Sequence, residues 1–404
     1  MVLFDLKYDI HYTQDMLGLA LQGGGAKGAF QAGALRALTE AGYQFDGVVG
    51  TSIGALNGAL VAQNEIDKIY ELWYNMEISQ LFDIDDGVAE NLSNMTFNSS
   101  TVKYVFKKIK DIIVNKGLDR TKAKELINTY LNESKLRKSP IDYGLVTIEW
   151  NEGFVPLRLF KEDIPEGLLI DYIIASGNLP VFKDLSIADR KYLDGGMYDN
   201  LPVNMLIDKG YKDIVAIRLG ETMSPIKEVK DPSVRITYID PTEKPGSLLN
   251  FTNKSVRKAI TMGYFDTLRI LKGYTGKRYY IIPFSESLFY TALYDLPNEY
   301  FTACSELLGV PFPADKDGAI NTLLKEIALL LKLKEGSPAD CIIELTEIFA
   351  EYSGVERFRI YTFPELLLKT IKAYRRKIDF SSSSLDKKHL KLKGVFDLYL
   401  NYLK

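Results

Sequence analysis

Three short stretches of this 404-residue chain carry residue types whose spacing could do chemistry. The first is Gly50-Thr51-Ser52-Ile53-Gly54. A serine between glycines, with an apolar run before it and a helical pattern after it, fits a sharp strand-to-helix turn. The neighbours carry almost no side chain there, so the hydroxyl projects from the sheet edge. The positive end of the following helix points at the same spot. The plainer alternative is an ordinary turn with Ser52 as a helix cap. The second stretch is Gly23-Gly24-Gly25-Ala26-Lys27-Gly28. It satisfies G-x-G-x-x-G between a strand and a helix, so a dinucleotide site must be weighed. That reading wants an acidic residue at the C-terminal end of the second strand; Gly50-Thr51-Ser52 stands there, and Asp46 lies at the wrong end. A phosphate loop of the Walker type fails too, because Lys27 is followed by glycine. The glycines read better as a nest of backbone N–H donors beside Ser52. Each such donor to an oxyanion is worth on the order of 3 kcal/mol in a transition state. The third stretch is Asp194-Gly195-Gly196, where two glycines let the chain turn sharply after a carboxylate.

A serine nucleophile needs a base, usually a histidine held by a carboxylate. The chain has two histidines, His11 and His389, and neither stands in a motif. A carboxylate acting directly is the remaining choice, and Asp194 is the strongest candidate. In water an aspartate with a pKa near 3.9 is a poor base. In a dry pocket its pKa rises and its hydrogen bond to a hydroxyl strengthens. Without such a pocket Asp194 is a turn aspartate and no more.

The elements that must position these groups follow an α/β rhythm. Leu17 to Gln22 fits a buried parallel strand, Gly28 to Ala41 a helix, Phe45 to Gly50 a second strand and Ala55 to Ala62 a second helix. Helix continues over Ile66 to Ile78. Phe82 to Ser100 reads as a loop or flap, and Thr101 to Val114 and Thr121 to Leu136 as an inserted helical pair, an insertion of about residues 66–136. Ile141 to Trp150 and Phe154 to Phe160 flank Asn151-Glu152-Gly153, a hairpin signal. Leu168 to Ala175 is helical, Lys191 to Leu193 a short strand, and Asn200 an N-cap ahead of Pro202. Strands are expected at Asp213 to Leu219, Val234 to Ile239 and Arg278 to Ile282, with a long helix over Asn253 to Lys272. After about Pro283 the signals turn helical, in five runs separated by Pro, Gly and Ser, such as Ser381 to Ser384. The chain thus divides into a domain over 15–283 and a helical C-terminal region over 284–404.

The three stretches, in this order and context, resemble the patatin-like phospholipases. Gly23 to Gly28 matches that family's G-G-G-x-[RK]-G loop, Gly50 to Gly54 its G-x-S-x-G elbow and Asp194 to Gly196 its D-G-[GA] triplet. Ala175-Ser176 through Pro180 matches the A-S-x-x-x-P of bacterial members, although Phe182 comes one place early and a following proline pair is missing. Asn200-Leu201-Pro202-Val203 matches N-x-P-V. The resemblance covers about residues 15–220. It implies a three-layer α/β/α fold with a mainly parallel central sheet, and a Ser-Asp dyad with Ser52 as nucleophile and Asp194 as base. It implies an oxyanion hole from Gly23, Gly24, Gly25 and Ala26, with Gly28, Gly50, Gly54, Gly195 and Gly196 shaping the turns. Lys27 either holds the loop through backbone carbonyls or is solvated. The implied reaction is hydrolysis of a phospholipid or other acyl-ester lipid through an acyl-serine, with no metal or other cofactor. Phe82, Phe97, Leu179, Phe182 and Met197 are candidates for an acyl channel, or plain core. The rival within the same fold is a catalytically silent protein that binds a lipid or a partner.

Composition excludes little beyond this. Hydrophobic residues make up 46% and charged residues 25%, as in ordinary globular proteins, and the net charge of -3 gives no ground for a nucleic-acid partner. The two cysteines, Cys304 and Cys341, form neither a disulfide framework nor a zinc motif and read as buried thiols. The N-terminus is no standard signal peptide, and no run approaches the roughly 18 apolar residues of a spanning helix. A cytoplasmic protein, or one exported by a route that leaves no such mark, is expected. Lys372 to Lys377 and Lys387 to Lys393 interleave basic residues with Leu and Tyr; they suit peripheral contact with an anionic membrane or, more blandly, a solvated helix face.

Overall fold

The computed structural model describes residues 16–76, 121–151, 153–179, 185–221, 224–248, 250–333, 337–376 and 387–402. The expected flap at 82–100, the helix at 101–114, His11, Phe82, Phe97, Phe182 and the run Ser381 to Ser384 lie outside the described residues. The chain divides into two compact units, Met1–Thr267 and Leu268–Lys404. The division falls within a helix, about fifteen residues before the change of pattern at Pro283.

The first unit is built on one eight-stranded sheet in the order β5-β6-β3-β2-β1-β7-β8, with β4 also paired to β3. Its strands are β1 (Leu17–Leu21), β2 (Gly47–Thr51), β3 (Asp142–Trp150), β4 (Phe154–Phe160), β5 (Leu185–Ile187), β6 (Arg190–Asp194), β7 (Asp213–Ile217) and β8 (Arg235–Ile239). β3, β2, β1, β7 and β8 run parallel to their neighbours. β4 and β6 run antiparallel to β3, and β5 antiparallel to β6. The central strands are nearly continuous apolar runs because both faces are covered. Ala20, Val49, Val146 and Ala216 point to one face, where Leu201, Val203, Met205 and Leu206 pack from α7 (Val203–Asp208) and the turn before it. On the other face lies α2 (Ile53–Ala62), whose Gly58 approaches Val48, Leu21 and Tyr143. The expected α/β sandwich with a mainly parallel sheet is therefore the fold of this unit.

The remaining helices of this unit are α1 (Ala29–Glu40), α3 (Ile66–Asn75), α4 (Thr121–Tyr130), α5 (Glu133–Lys138), α6 (Leu169–Ser176) and α8 (Asn253–Lys272), which continues into the second unit. The helix expected over Thr121 to Leu136 is two, broken where Asn132 caps α5 by accepting from the Lys135 amide. β5 was not foreseen. Neither was the true start of α7: Pro202, not Asn200, stands at its N-cap.

The second unit is helical: α9 (Ser287–Tyr294), α10 (Asn298–Leu308), α11 (Lys316–Leu331), α12 (Pro338–Tyr352), α13 (Phe363–Arg376) and α14 (Lys387–Tyr402). The strand expected at Arg278 to Ile282 shortens to β9 (Tyr280–Ile281) and pairs with β10 (Ile360–Tyr361) in a separate two-stranded sheet. Cys304 and Cys341 are buried in its core as free thiols. In the basic segments, Tyr374 and Leu392 are core residues, while Lys393 pairs with Asp397 and Lys391 donates to the Leu308 carbonyl. That is the packing of an amphipathic helix face on a protein core. Among the described residues no helix is long and apolar enough to cross a membrane.

Candidate active site

β3 is the element that brings Ser52 and Asp194 together. Gly144 to Val146 pair with both β2 and β4, and Thr147 to Glu149 pair with both β4 and β6. A strand has two edges, so β4 takes one of them and β2 and β6 share the other, end to end. Thr51, the last residue of β2, sits opposite Val146; Asp194, the last residue of β6, sits opposite Thr147. Two strands running in opposite directions thus finish against adjacent residues of the same neighbour. Ser52 follows one of them and Asp194 ends the other.

The junction is closed by hydrogen bonds. Ser52 Oγ donates to Asp194 Oδ2 at 2.7 Å. The Gly196 amide donates to Asp194 Oδ1 at 2.7 Å, so each carboxylate oxygen has one donor. The Asp194 amide donates to the Asn178 carbonyl at 2.8 Å. Ser176 Oγ donates to the Val146 carbonyl and accepts from the Ser52 amide at 2.8 Å. Thr51 Oγ1 donates to the Asp199 carbonyl, which ties the elbow to the turn after Asp194.

Ser52 has φ 57 and ψ -124, a backbone conformation that costs a non-glycine residue of order 1–3 kcal/mol. The flanking glycines make the turn possible. A Cβ on Gly50 would stand 2.2 Å from the Gly54 carbonyl oxygen, and one on Gly54 would stand 2.3 Å from the Leu21 carbonyl oxygen. α2 therefore begins directly behind the Ser52 hydroxyl. Gly195 is equally constrained, since a Cβ there would meet the Val146 carbonyl oxygen at 2.1 Å.

The glycine loop leaves β1 beside the elbow and enters a short 3-10 turn, Gly25–Gly28. Asn200 clasps its first residue twice. The Gly23 amide donates to the Asn200 carbonyl, and Asn200 Nδ2 donates to the Gly23 carbonyl, each at 3.1 Å. The Ala26 amide donates to the Leu248 carbonyl at 2.8 Å, and the Lys27 amide to the Gly24 carbonyl at 3.2 Å. Of the four amides expected around an oxyanion, those of Gly23 and Ala26 are thus already bonded, which leaves Gly24 and Gly25. Gly25 has φ +54 and its Cβ position lies 2.3 Å from the Leu248 carbonyl oxygen, so only glycine is comfortable there. A buried polar chain supports the loop from below: Gln31 Nε2 donates to the Gln22 carbonyl, Asn57 Nδ2 to Gln31 Oε1 and to the Gly28 carbonyl, and Trp73 Nε1 to Asn57 Oδ1. Lys27 lines the cleft, and its ammonium holds no loop carbonyl; burial and the nearby Lys244 charge lower its pKa.

Asp194 is 3% exposed. Burial pushes its pKa up to about 6, against the opposing pull of the hydrogen bonds from Ser52 and Gly196. Ser52 and Asp194 line a cleft of about 270 Å³ together with residues such as Ile53, Leu56, Leu126, Ile174, Leu219 and Phe251. Leu179 and Met197, two of the expected acyl-channel residues, line it as well. α4 contributes one wall through Ala123, Leu126, Ile127 and Tyr130. Among the described residues no histidine lines the cleft, and His389 lies on α14 of the second unit.

Ser176 and Asn200 hold the site more directly than the sequence suggested. Ser176 stood in the A-S motif without a role, and Asn200 was read as a helix cap. Nothing local in the sequence marks either as a partner of a loop more than a hundred residues away.

A family model described as Patatin-like phospholipase matches residues 19–207. Lysophospholipase NTE1 of Candida albicans is 27% identical over 216 residues, which are 52% of this chain and 13% of that protein. A patatin-like phospholipase domain-containing protein of Caenorhabditis elegans is 38% identical over 219 residues, 52% of this chain and 14% of that protein. The chain therefore spans about a seventh of the length of these curated relatives. The crystal structure of VipD from Legionella pneumophila superposes with a TM-score of 0.40 at 14% identity, over 97% of this chain and 92% of that one. The glycine loop, the elbow and the aspartate turn all lie inside the stretch that matches the patatin-like phospholipase family model.

Proposed function

We propose that this protein is a lipid acyl hydrolase in which Ser52 and Asp194 act as a dyad. The observation that carries the reading is the 2.7 Å hydrogen bond from Ser52 Oγ to a buried carboxylate at the floor of an apolar cleft. The reaction follows from the arrangement. Asp194 Oδ2 takes the hydroxyl proton as Ser52 Oγ attacks the ester carbonyl carbon. The tetrahedral oxyanion is met by the Gly24 and Gly25 amides, with the start of α2 adding its positive end. As the carbon–oxygen bond to the leaving alcohol breaks, that oxygen takes the proton from Asp194. Water then attacks the acyl-Ser52 ester by the same route and releases a fatty acid. The Ser52 amide takes no part, because it is bonded to Ser176 Oγ.

The apolar walls suit an acyl chain, and the names of the relatives point to phospholipid and lysophospholipid esters. A fluorophosphonate probe and a panel of lipid esters read by mass spectrometry test the proposal. Wild type should be labelled and should release fatty acid; Ser52→Ala should do neither. Failure of the wild type to react with the probe and with every ester of the panel would leave the silent lipid-binding protein as the better reading.

A further inference from the structure

Among the described residues, the charged side chains that line the cleft are Asp194 and Lys27. Asp194 is satisfied, since each of its carboxylate oxygens accepts a hydrogen bond. Lys27 is not. It is part-buried, and its ammonium makes no hydrogen bond or ion pair among the described residues. A second positive charge, that of Lys244, lies close enough to be felt at Lys27. Lys244 also lacks an ion pair among the described residues. Two like charges, one of them partly desolvated beside apolar walls, oppose folding. Both costs fall when an anion binds beside them.

The glycine loop puts this charge next to Ser52. Lys27 lies in the 3-10 turn Gly25–Gly28, and its amide donates to the Gly24 carbonyl. Its side chain therefore leaves the same turn that offers the Gly24 and Gly25 amides. Gly24, Gly25, Lys27 and Ser52 all line the cleft. The Ala26 amide bonds to the Leu248 carbonyl, which draws the segment carrying Lys244 onto the loop.

We propose that Lys27, seconded by Lys244, binds a phosphate carried on the alcohol side of the ester, so that the cleft selects phosphate-bearing acyl esters over neutral glycerides. The proposal rests on the lipid-hydrolase reading for its substrate. The ligand class follows from the chemistry. An acyl chain has no charge and suits the apolar walls, and the ester itself is neutral until it is attacked. The anion therefore belongs to the alcohol part. In a phospholipid that part carries a phosphate only a glycerol's length from the scissile bond. An ammonium binds phosphate as a point charge, without the planar fit of a guanidinium.

The experiment assays the full chain on two esters that differ only by the phosphate, octanoylglycerol phosphate and octanoylglycerol, with released octanoate read by mass spectrometry. Wild type should favour the phosphorylated ester in kcat/KM by about tenfold or more, chiefly through KM. Lys27→Gln should lose that preference, Lys27→Arg should keep most of it, and Lys244→Gln should lose part of it. Each variant is compared with itself on the two esters, so a general loss of folding or activity cancels from the ratio. A wild-type ratio near one, or the wild-type ratio retained by Lys27→Gln, would overturn the site. An equal loss on both esters, in kcat, would overturn it in favour of a direct contact between Lys27 and the oxyanion. Inorganic phosphate separates the sources of the ligand. It has no acyl tail and should leave the ratio unchanged; a ratio that it erases would mean a site for free phosphate. Octyl phosphate, which has no carboxylic ester, tests the site without the chemistry and decides where a variant is too slow to assay. By calorimetry it should bind wild type about tenfold more tightly than Lys27→Gln. Such binding by a chain that hydrolyses neither ester would keep the phosphate site and end the hydrolase reading. Hydrolysis of both esters with equal octyl phosphate binding by wild type and Lys27→Gln would do the reverse.

Discussion

An aspartate in water takes almost no proton from a serine hydroxyl, because its pKa lies near 3.9. Burial moves Asp194 to about 6, which makes it a better base while leaving it ionised at neutral pH. In the proposed reaction only the ionised form can receive the Ser52 proton, so the sign of the pH dependence is fixed. kcat/KM for a soluble ester should rise with pH through about 6 with unit slope and level off above it. Asp194→Asn keeps the shape and removes the base. It should lower kcat by on the order of 10²–10⁴ and erase the acidic limb between pH 5 and 7, measured by steady-state kinetics across that range. A limb that survives in the variant would assign the titration to another group.

At the scale of elements, geometry is set by close approach and by clasps. Gly54 lets α2 start against the Leu21 carbonyl oxygen, 2.3 Å from where a Cβ would be. That neighbour is backbone and cannot rotate away. Gly54→Ala should cost about 1–3 kcal/mol in stability and slow fluorophosphonate labelling, read by thermal melting and by the labelling rate. Asn200 is a positioning residue of a different kind. It joins the glycine loop to the segment after Asp194 by two bonds to Gly23. Asn200→Ala should lower kcat by roughly 10–100-fold with little change in KM, since the loop amides would lose their aim at the oxyanion and not at the bound ester. The contrast with the sequence is instructive here. Ser52, Asp194 and the glycine loop could be read because tight turns demand particular residues at fixed spacings. The meeting of β2 and β6 on one edge of β3 could not be read, because strand register is decided by pairing between distant segments. Asn200 looked like a cap because capping residues and loop clasps use the same side chain. The three-residue β5 and the short α9 left too little periodicity to notice, and Tyr280–Ile281 carried a strand pattern that said nothing of its partner, β10.

For the whole molecule the same features are a liability. A strained serine and a desolvated carboxylate oppose folding, and the packed sheet core of the first unit has to offset them. The carboxylate part can be measured through its linkage to protons. Asp194 is raised in the folded state from 3.8 to about 6, so between those values the folded chain holds a proton that the unfolded chain has released. Stability is therefore lost as pH rises through this window, and above it the full cost is present. A shift of this size corresponds to about 3 kcal/mol. Asparagine at the same position is neutral throughout and escapes that cost. The stability of Asp194→Asn relative to wild type should accordingly rise by up to about 3 kcal/mol between pH 4 and pH 7 and then stay level. Denaturant titrations at several pH values would record this in the transition of the first unit, with the helical unit followed separately because two units need not unfold as one. A difference that does not change with pH would mean that Asp194 titrates alike in both states, and the argument for a carboxylate poised by burial would fail with it.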